Sequence, residues 1–319
     1  VAASPPNFAD RLIAAMTEKK SAACVGLDIV YDKLPEAIRN DKSFNDPANT
    51  QVVMDAALEF SRKVLRLVAP HVAAVKINSA YFERYYWDGI EAYYSLVQEA
   101  QANKLLVIGD VKRGDVGTSA DAYCDAHLAE PTVENLEEGA TPDAVTVNPY
   151  FGSDGVIPFL NVAATQGKGV FMLIRTSNES AREFQDFKDG TGKPLYHYIA
   201  EKCAAWAGAE DLVGKSGYSS LGAVVGGTYP DDARRLRALM PKSIFLVPGY
   251  GVQGATAEDC AAAFNPDGKG AVVSATRSVL YAFNDSRYAD RFDSWEKCVE
   301  QAAVDMKDEL NRAIAKTAG

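Results

Sequence analysis

The chain has 319 residues, is 47% hydrophobic and carries a formal net charge of -10 at neutral pH, which is enough for a sizeable core in one large α/β barrel or two ordinary domains. That acidic balance argues against a general binder of nucleic acid or of anionic membranes, since both need a basic face, and leaves room only for a local basic pocket. Five scattered cysteines, Cys24, Cys124, Cys203, Cys260 and Cys298, include no Cys-x-x-Cys pair, so neither a disulfide framework nor a zinc site is indicated. Residues 1–10 show no basic segment leading into an apolar run. No stretch approaches the roughly 18 apolar residues of a membrane span, and a cytoplasmic protein with reduced thiols is expected.

Short β-branched or apolar runs recur at residues 22–27, 72–77, 104–109, 144–147, 169–174, 221–225, 243–247 and 270–275. With helical segments between them, they predict parallel strands joined by crossover helices. Eight such units predict a (β/α)8 TIM barrel, a single domain over residues 1–319 with an amino-terminal extension. Helical spacing of apolar residues is clear at 49–68, 119–128, 230–239 and 294–315, and Pro230 suits the first turn of its helix. The connections 29–49 and 178–220 are long and mix Gly, Pro and charge, as lids or insertions do. No short-period repeat or composition break marks a second domain.

Barrels of this kind place chemistry at the carboxyl ends of their strands. Asp28 follows the first run, Lys76 and Asn78 the second, and Asp110, Lys112 and Asp115 the third. Asn148 ends the fourth, Thr176 and Ser177 the fifth, and Arg277 the eighth, so closure would bring these side chains to one rim. The densest stretch is Ile108-Gly109-Asp110-Val111-Lys112-Arg113-Gly114-Asp115. Strand alternation puts Asp110 and Lys112 on one face, where opposite charges are costly unless they pair or meet a ligand. Lys76, inside an apolar run, needs a carboxylate, and Asp110 is its natural partner. An alternating chain of Lys76, Asp110, Lys112 and Asp115 is therefore predicted, with structural ion pairing as the competing account.

Gly249-Tyr250-Gly251-Val252-Gln253-Gly254 matches G-x-G-x-x-G, but the dinucleotide fingerprint belongs in a first βαβ unit with an acidic residue about 20 positions on. Here the motif follows the seventh run and the eighth ends in Thr276-Arg277. Barrel loops after strands seven and eight commonly hold phosphate, and Arg277 would add a bidentate donor. The bland alternative is a glycine turn beside a surface arginine. His71, His127 and His197 fall outside these strand ends and lack metal-ligand spacing, and no G-x-S-x-G elbow is present, so neither a metal nor serine hydrolysis is indicated.

Taken together, these residues resemble orotidine 5′-phosphate decarboxylases of the longer-chain branch, over nearly the whole chain. The most specific motif is Asp-x-Lys-x-x-Asp at Asp110, Lys112 and Asp115, supported by Gly26-Leu27-Asp28, Lys76-Ile77-Asn78, Asn148-Pro149-Tyr150-Phe151-Gly152, Arg175-Thr176-Ser177-Asn178, residues 248–254 and Arg277. The resemblance implies a cofactor-free (β/α)8 carboxy-lyase of pyrimidine synthesis that converts orotidine 5′-monophosphate to UMP. Lys112 would protonate C6, Asp110 would lie beside the scissile carboxylate, and Lys76 would hold Asp110 and the ribose. Asp115 would reach the neighbouring subunit's site in a homodimer with shared active sites. Asp28 and Asn78 would meet the ribose or neighbouring polar groups, Thr176 and Ser177 the pyrimidine amide, and Gln253 and Arg277 the 5′-phosphate. The family places a threonine four positions after the second aspartate, whereas this chain has Thr118 followed by Ser119 there; both stand as candidates for substrate contact. Rival functions are a Mg²⁺-dependent sugar-phosphate decarboxylase of the same superfamily, a Schiff-base aldolase using Lys76 or Lys112, and a non-catalytic nucleotide-binding barrel.

Overall fold

The computed structural model describes residues 5–131 and 140–317. Eight parallel strands close into a barrel in sequence order, with β1 (Ala23–Gly26) pairing both β2 (Ala74–Asn78) and β8 (Ala271–Ala275). Between them run β3 (Leu106–Arg113), β4 (Ala144–Val147), β5 (Gly169–Arg175), β6 (Ser219–Val225) and β7 (Ser243–Pro248). All eight apolar runs are strands. Their side chains are buried on both faces by barrel interior and outer helices, which explains the continuous rather than alternating hydrophobicity.

Strand β3 continues through the charged residues to Arg113 instead of stopping at Gly109. It does so because β4 keeps pairing with it: Arg113 aligns with Val147, and the Asn148 N–H donates to the Arg113 carbonyl at 2.8 Å. The register shifts between Gly109 and Arg113, a bulge that re-aims side chains at the strand end.

The expected helices form at Thr50–Val68, Gly117–His127, Pro230–Leu239 and Trp295–Thr317. Asn49 caps the first of them, its side chain accepting from the Gln51 and Val52 N–H groups. Helices at Tyr86–Ala102, Ser153–Gln166 and Leu195–Ala207 serve three further crossovers, and the short helix Ala257–Ala261 lies between β7 and β8. Leu195–Ala207 lies inside the connection expected to be a lid or insertion, so the irregular part after β5 is shorter than residues 178–220 suggest.

The amino-terminal extension is a helix, Phe8–Lys19, that covers the amino ends of the strands. The Phe8 ring meets Phe171 edge to face at 5.9 Å, and Arg11 pairs with Asp143 just before β4. A Cβ on Gly169 would sit 2.2 Å from the Phe8 ring, so that glycine is what lets the helix seat. The opposite end of the barrel is left free for a site. Among the described residues, no helix is long and apolar enough to cross a membrane.

Candidate active site

At the carboxyl ends of the strands lies a cavity of about 590 Å³. Asp28, Lys76, Asn78, Asp110 and Lys112 line one side, and Thr176, Ser177, Gln253 and Arg277 the other. The two halves of the predicted site therefore share one space. Gly26 lets the first strand join it: a Cβ there would fall 2.0 Å from the Thr276 hydroxyl oxygen.

Asp110 is the hub. It is almost fully buried; its Oδ2 accepts from Lys76 Nζ at 2.7 Å, and its Oδ1 accepts from Lys112 Nζ at 2.5 Å and from the Thr146 hydroxyl at 3.0 Å. Burial alone would push the carboxyl's pKa up, but the two ammonium groups outweigh it and hold Asp110 well below the usual carboxylate range. Burial likewise opposes the Lys76 charge, and Asp110 with Asp28 outweighs it, leaving Lys76 above its ordinary value. Both partners are thus ionised. Asp28 Oδ1 stands 3.8 Å from Lys76 Nζ and makes no hydrogen bond despite being buried. An oxygen in that condition wants a hydroxyl donor.

Lys112 differs from Lys76. Its side chain is 48% exposed to the cavity mouth, and its backbone takes φ = +47°, a left-handed conformation that costs a long side chain roughly 1–3 kcal/mol. Its N–H donates to Thr146 Oγ1 at 2.9 Å, and that hydroxyl donates in turn to Asp110, so the strain is held by the same group that orients the carboxylate.

Across the cavity, Ser177 Oγ donates to Gln253 Oε1 at 2.9 Å, joining the loop after β5 to the loop after β7. In the latter, Gly249, Gly251 and Gly254 all have positive φ, which explains the glycine spacing without a dinucleotide. The Tyr250 hydroxyl anchors this loop by donating to Glu309 in the carboxy-terminal helix. Arg277 opens a short helix after β8, and its guanidinium meets no carboxylate among the described residues. With Lys33, Lys76, Lys112 and Arg277 against Asp28 and Asp110, the cavity is net cationic inside an acidic protein and suits a multiply anionic ligand.

The orotidine 5′-phosphate decarboxylase / HUMPS family model matches residues 23–292. The chain belongs to this family. The orotidine 5′-phosphate decarboxylase of Caldicellulosiruptor bescii is 36% identical over 313 residues, covering 97% of this chain and 99% of that one. The solved Leishmania donovani OMP decarboxylase is 28% identical with a TM-score of 0.71, over 97% of this chain and 99% of that one. The L. donovani UMP synthase structure matches at 28% identity and a TM-score of 0.73, and there the chain spans 57% of the longer protein.

Within this member of the decarboxylase family, the predicted four-charge chain is cut to three. Asp115 lies past the strand end, half-exposed, with Oδ1 accepting from the Val116 N–H at 2.8 Å, and it does not line the cavity. Thr118 and Ser119 sit exposed in the first turn of Gly117–His127, also outside it. Asn148 does not reach it either: its side chain caps the turn Pro149–Phe151. Strand β3 ends at Arg113, and Asp115, Thr118 and Ser119 lie beyond it in the connection to and first turn of the next helix. His71, His127 and His197 lie outside the cavity, and burial brings His127 down to about 4. All five cysteines are free and buried. Lys33, Thr146 and Tyr281 line the cavity without having been singled out. Thr146, an inward hydroxyl on an otherwise apolar strand, carried a readable signal; Lys33, in a long loop, carried none.

Proposed function

We propose that the chain is an orotidine 5′-monophosphate decarboxylase, a carboxy-lyase yielding UMP and carbon dioxide in the cytosol. The observation that carries this reading is the Lys76–Asp110–Lys112 array, with its buried Lys76–Asp110 pair and Lys112 at the cavity mouth, in a cavity that also offers Arg277 and the Ser177–Gln253 pair. Breaking the C6–carboxylate bond leaves its electron pair on C6, an sp² carbanion that the pyrimidine does not delocalise. A preplaced cation at low dielectric is the means of stabilising it. Lys112 is that cation, and its ammonium then delivers the proton that forms the C6–H bond.

Asp110 holds Lys112 in place from one oxygen and Lys76 from the other. Its negative charge beside the substrate carboxylate is relieved as that carboxylate leaves as neutral carbon dioxide, which favours the transition state over the bound substrate. Asp28 and Asn78 serve the ribose, Ser177 the base with Thr176 lining the cavity beside it, and Gln253 and Arg277 the phosphate. Asp115, with Thr118 and Ser119 beside it, completes the site of a second copy. The surface beside Asp115 supports such a dimer: Phe151 lies close to the Asp115 backbone, its ring partner Tyr150 is 86% exposed, and Val116 is exposed with them, apolar surface that a second chain would cover.

The test is the ultraviolet absorbance of orotidine 5′-monophosphate mixed with the protein in EDTA, beside Lys112→Ala. Loss of the orotate band with the native chain and not with the variant is expected. Turnover that stops in EDTA would favour the Mg²⁺-dependent sugar-phosphate chemistry, and tight binding without turnover a nucleotide-binding barrel.

A further inference from the structure

Strand β5 ends in Arg175, which is only 3% exposed and does not line the cavity. Its guanidinium lies between the rings of Tyr196 and Tyr229, 4.8 and 4.1 Å from their centroids. Its Nε bonds Asp232 at 3.1 Å and its Nη1 pairs with Asp186 at 2.7 Å. Asp186 belongs to the irregular segment after β5, immediately following the turn of helix Arg182–Gln185. A buried cation between two aromatic rings and two carboxylates is a rigid anchor, and it pins that segment to the strand end.

What the anchor presents is Gln185. Its Oε1 accepts from the Thr176 N–H at 3.0 Å, and its Nε2 donates to Thr176 Oγ1 at 2.8 Å. Thr176 Oγ1 spends its own proton on Asn178 Oδ1 at 2.7 Å. The N–H and hydroxyl of Thr176 are therefore both committed within the protein. The following residue, Ser177, is left to face the cavity, with its carbonyl accepting from the Thr228 hydroxyl at 3.3 Å and its hydroxyl on Gln253. Gly226 completes the seat, because a Cβ there would come within 2.9 Å of the Ser177 Cα.

We propose that Gln185 is a positioning residue for base recognition: held by the Arg175–Asp186 anchor, it clamps Thr176 so that Ser177 is aimed at the pyrimidine. This rests on the decarboxylase reading above. The segment after β5 is then a template for the base rather than a cover over the site, and Gln185 acts without touching substrate.

The experiment compares the native chain with Gln185→Ala, measuring dissociation constants for UMP, which carries the base, and ribose 5-phosphate, which lacks it. Because Gln185 sits on a surface segment, folding should survive, and a thermal melt checks that. The expected result is UMP binding weakened about tenfold, the order of one net hydrogen bond to the base, with ribose 5-phosphate binding unchanged. Gln185→Glu keeps the acceptor for the Thr176 N–H and should fall between the two. Equal weakening of both ligands would mean a general structural role and overturn the proposal, as would unchanged UMP binding. A native chain that binds ribose 5-phosphate but neither binds UMP nor consumes orotidine 5′-monophosphate would overturn the decarboxylase reading itself, and the proposal with it.

Discussion

Replacing Lys76 by methionine tests the ionised array through stability rather than turnover. The substitution keeps length and apolar bulk but removes the ammonium 2.7 Å from Asp110 Oδ2. Removing one partner of a buried pair costs about 3–5 kcal/mol, because the other charge is left uncompensated. Asp110 retains Lys112 and the Thr146 hydroxyl, so the lower end, about 3 kcal/mol, applies. For 319 residues, an unfolding entropy of about 2.1 cal/mol/K per residue makes that a fall in Tm of roughly 4–5 °C at neutral pH. The pH dependence carries the diagnosis. A carboxyl held below its ordinary range contributes stability that is present above that range and lost as pH falls through its folded value. The gap between native and variant melts should therefore narrow below about pH 4, where carboxylates begin to protonate. In addition, Asp110→Asn on the Lys76→Met background should recover part of the loss. A variant that melts with the native chain at neutral pH, or a gap that is the same at every pH, would refute the coupled buried pair.

Two further outcomes address the rest of the site. Arg277→Ala should lower kcat/KM by roughly 10²–10³, the worth of a charge-assisted two-point contact to phosphate, with Tm unchanged because the side chain has no protein carboxylate to lose; unaltered kinetics would remove the phosphate assignment. Lys112→Ala and Asp115→Ala should each abolish turnover alone, yet mixing them after subunit exchange should restore about a quarter of native activity, the yield of one intact shared site per mixed dimer. Mixtures that stay inactive although subunits demonstrably exchange would place Asp115 outside the partner's site.

The fold was legible because parallel barrel strands are buried on both faces and so read as unbroken apolar runs, and every one of those runs is a strand. The Lys76–Asp110 pairing was equally legible: a lysine in such a run has no affordable state without a carboxylate, and the neighbouring strand offered one. Three things were hidden. Helix Leu195–Ala207 has apolar residues spread around its circumference, which blurs the helical period within a segment full of turn residues. The place of Asp115 outside the cavity goes with the register shift between Gly109 and Arg113, and simple alternation does not register a bulge. Gln185 gives no local sign because its partner, Thr176, is brought to it by a buried arginine ten positions earlier in the chain.

Lys112 is the one member of the charged array with a left-handed backbone, and that sets durability against catalysis at a single residue. What folding gains from this lysine is its ion pair with Asp110, in a backbone conformation that asparagine or glycine would adopt with less strain. A library of variants sorted only on surviving heat would thus tend to discard lysine here while keeping Asp110 and Lys76, whose charges balance one another in the interior. The same barrel, hardened by that route, would come out intact and inert, so a search for robust versions of this protein has to score turnover alongside melting from its first round.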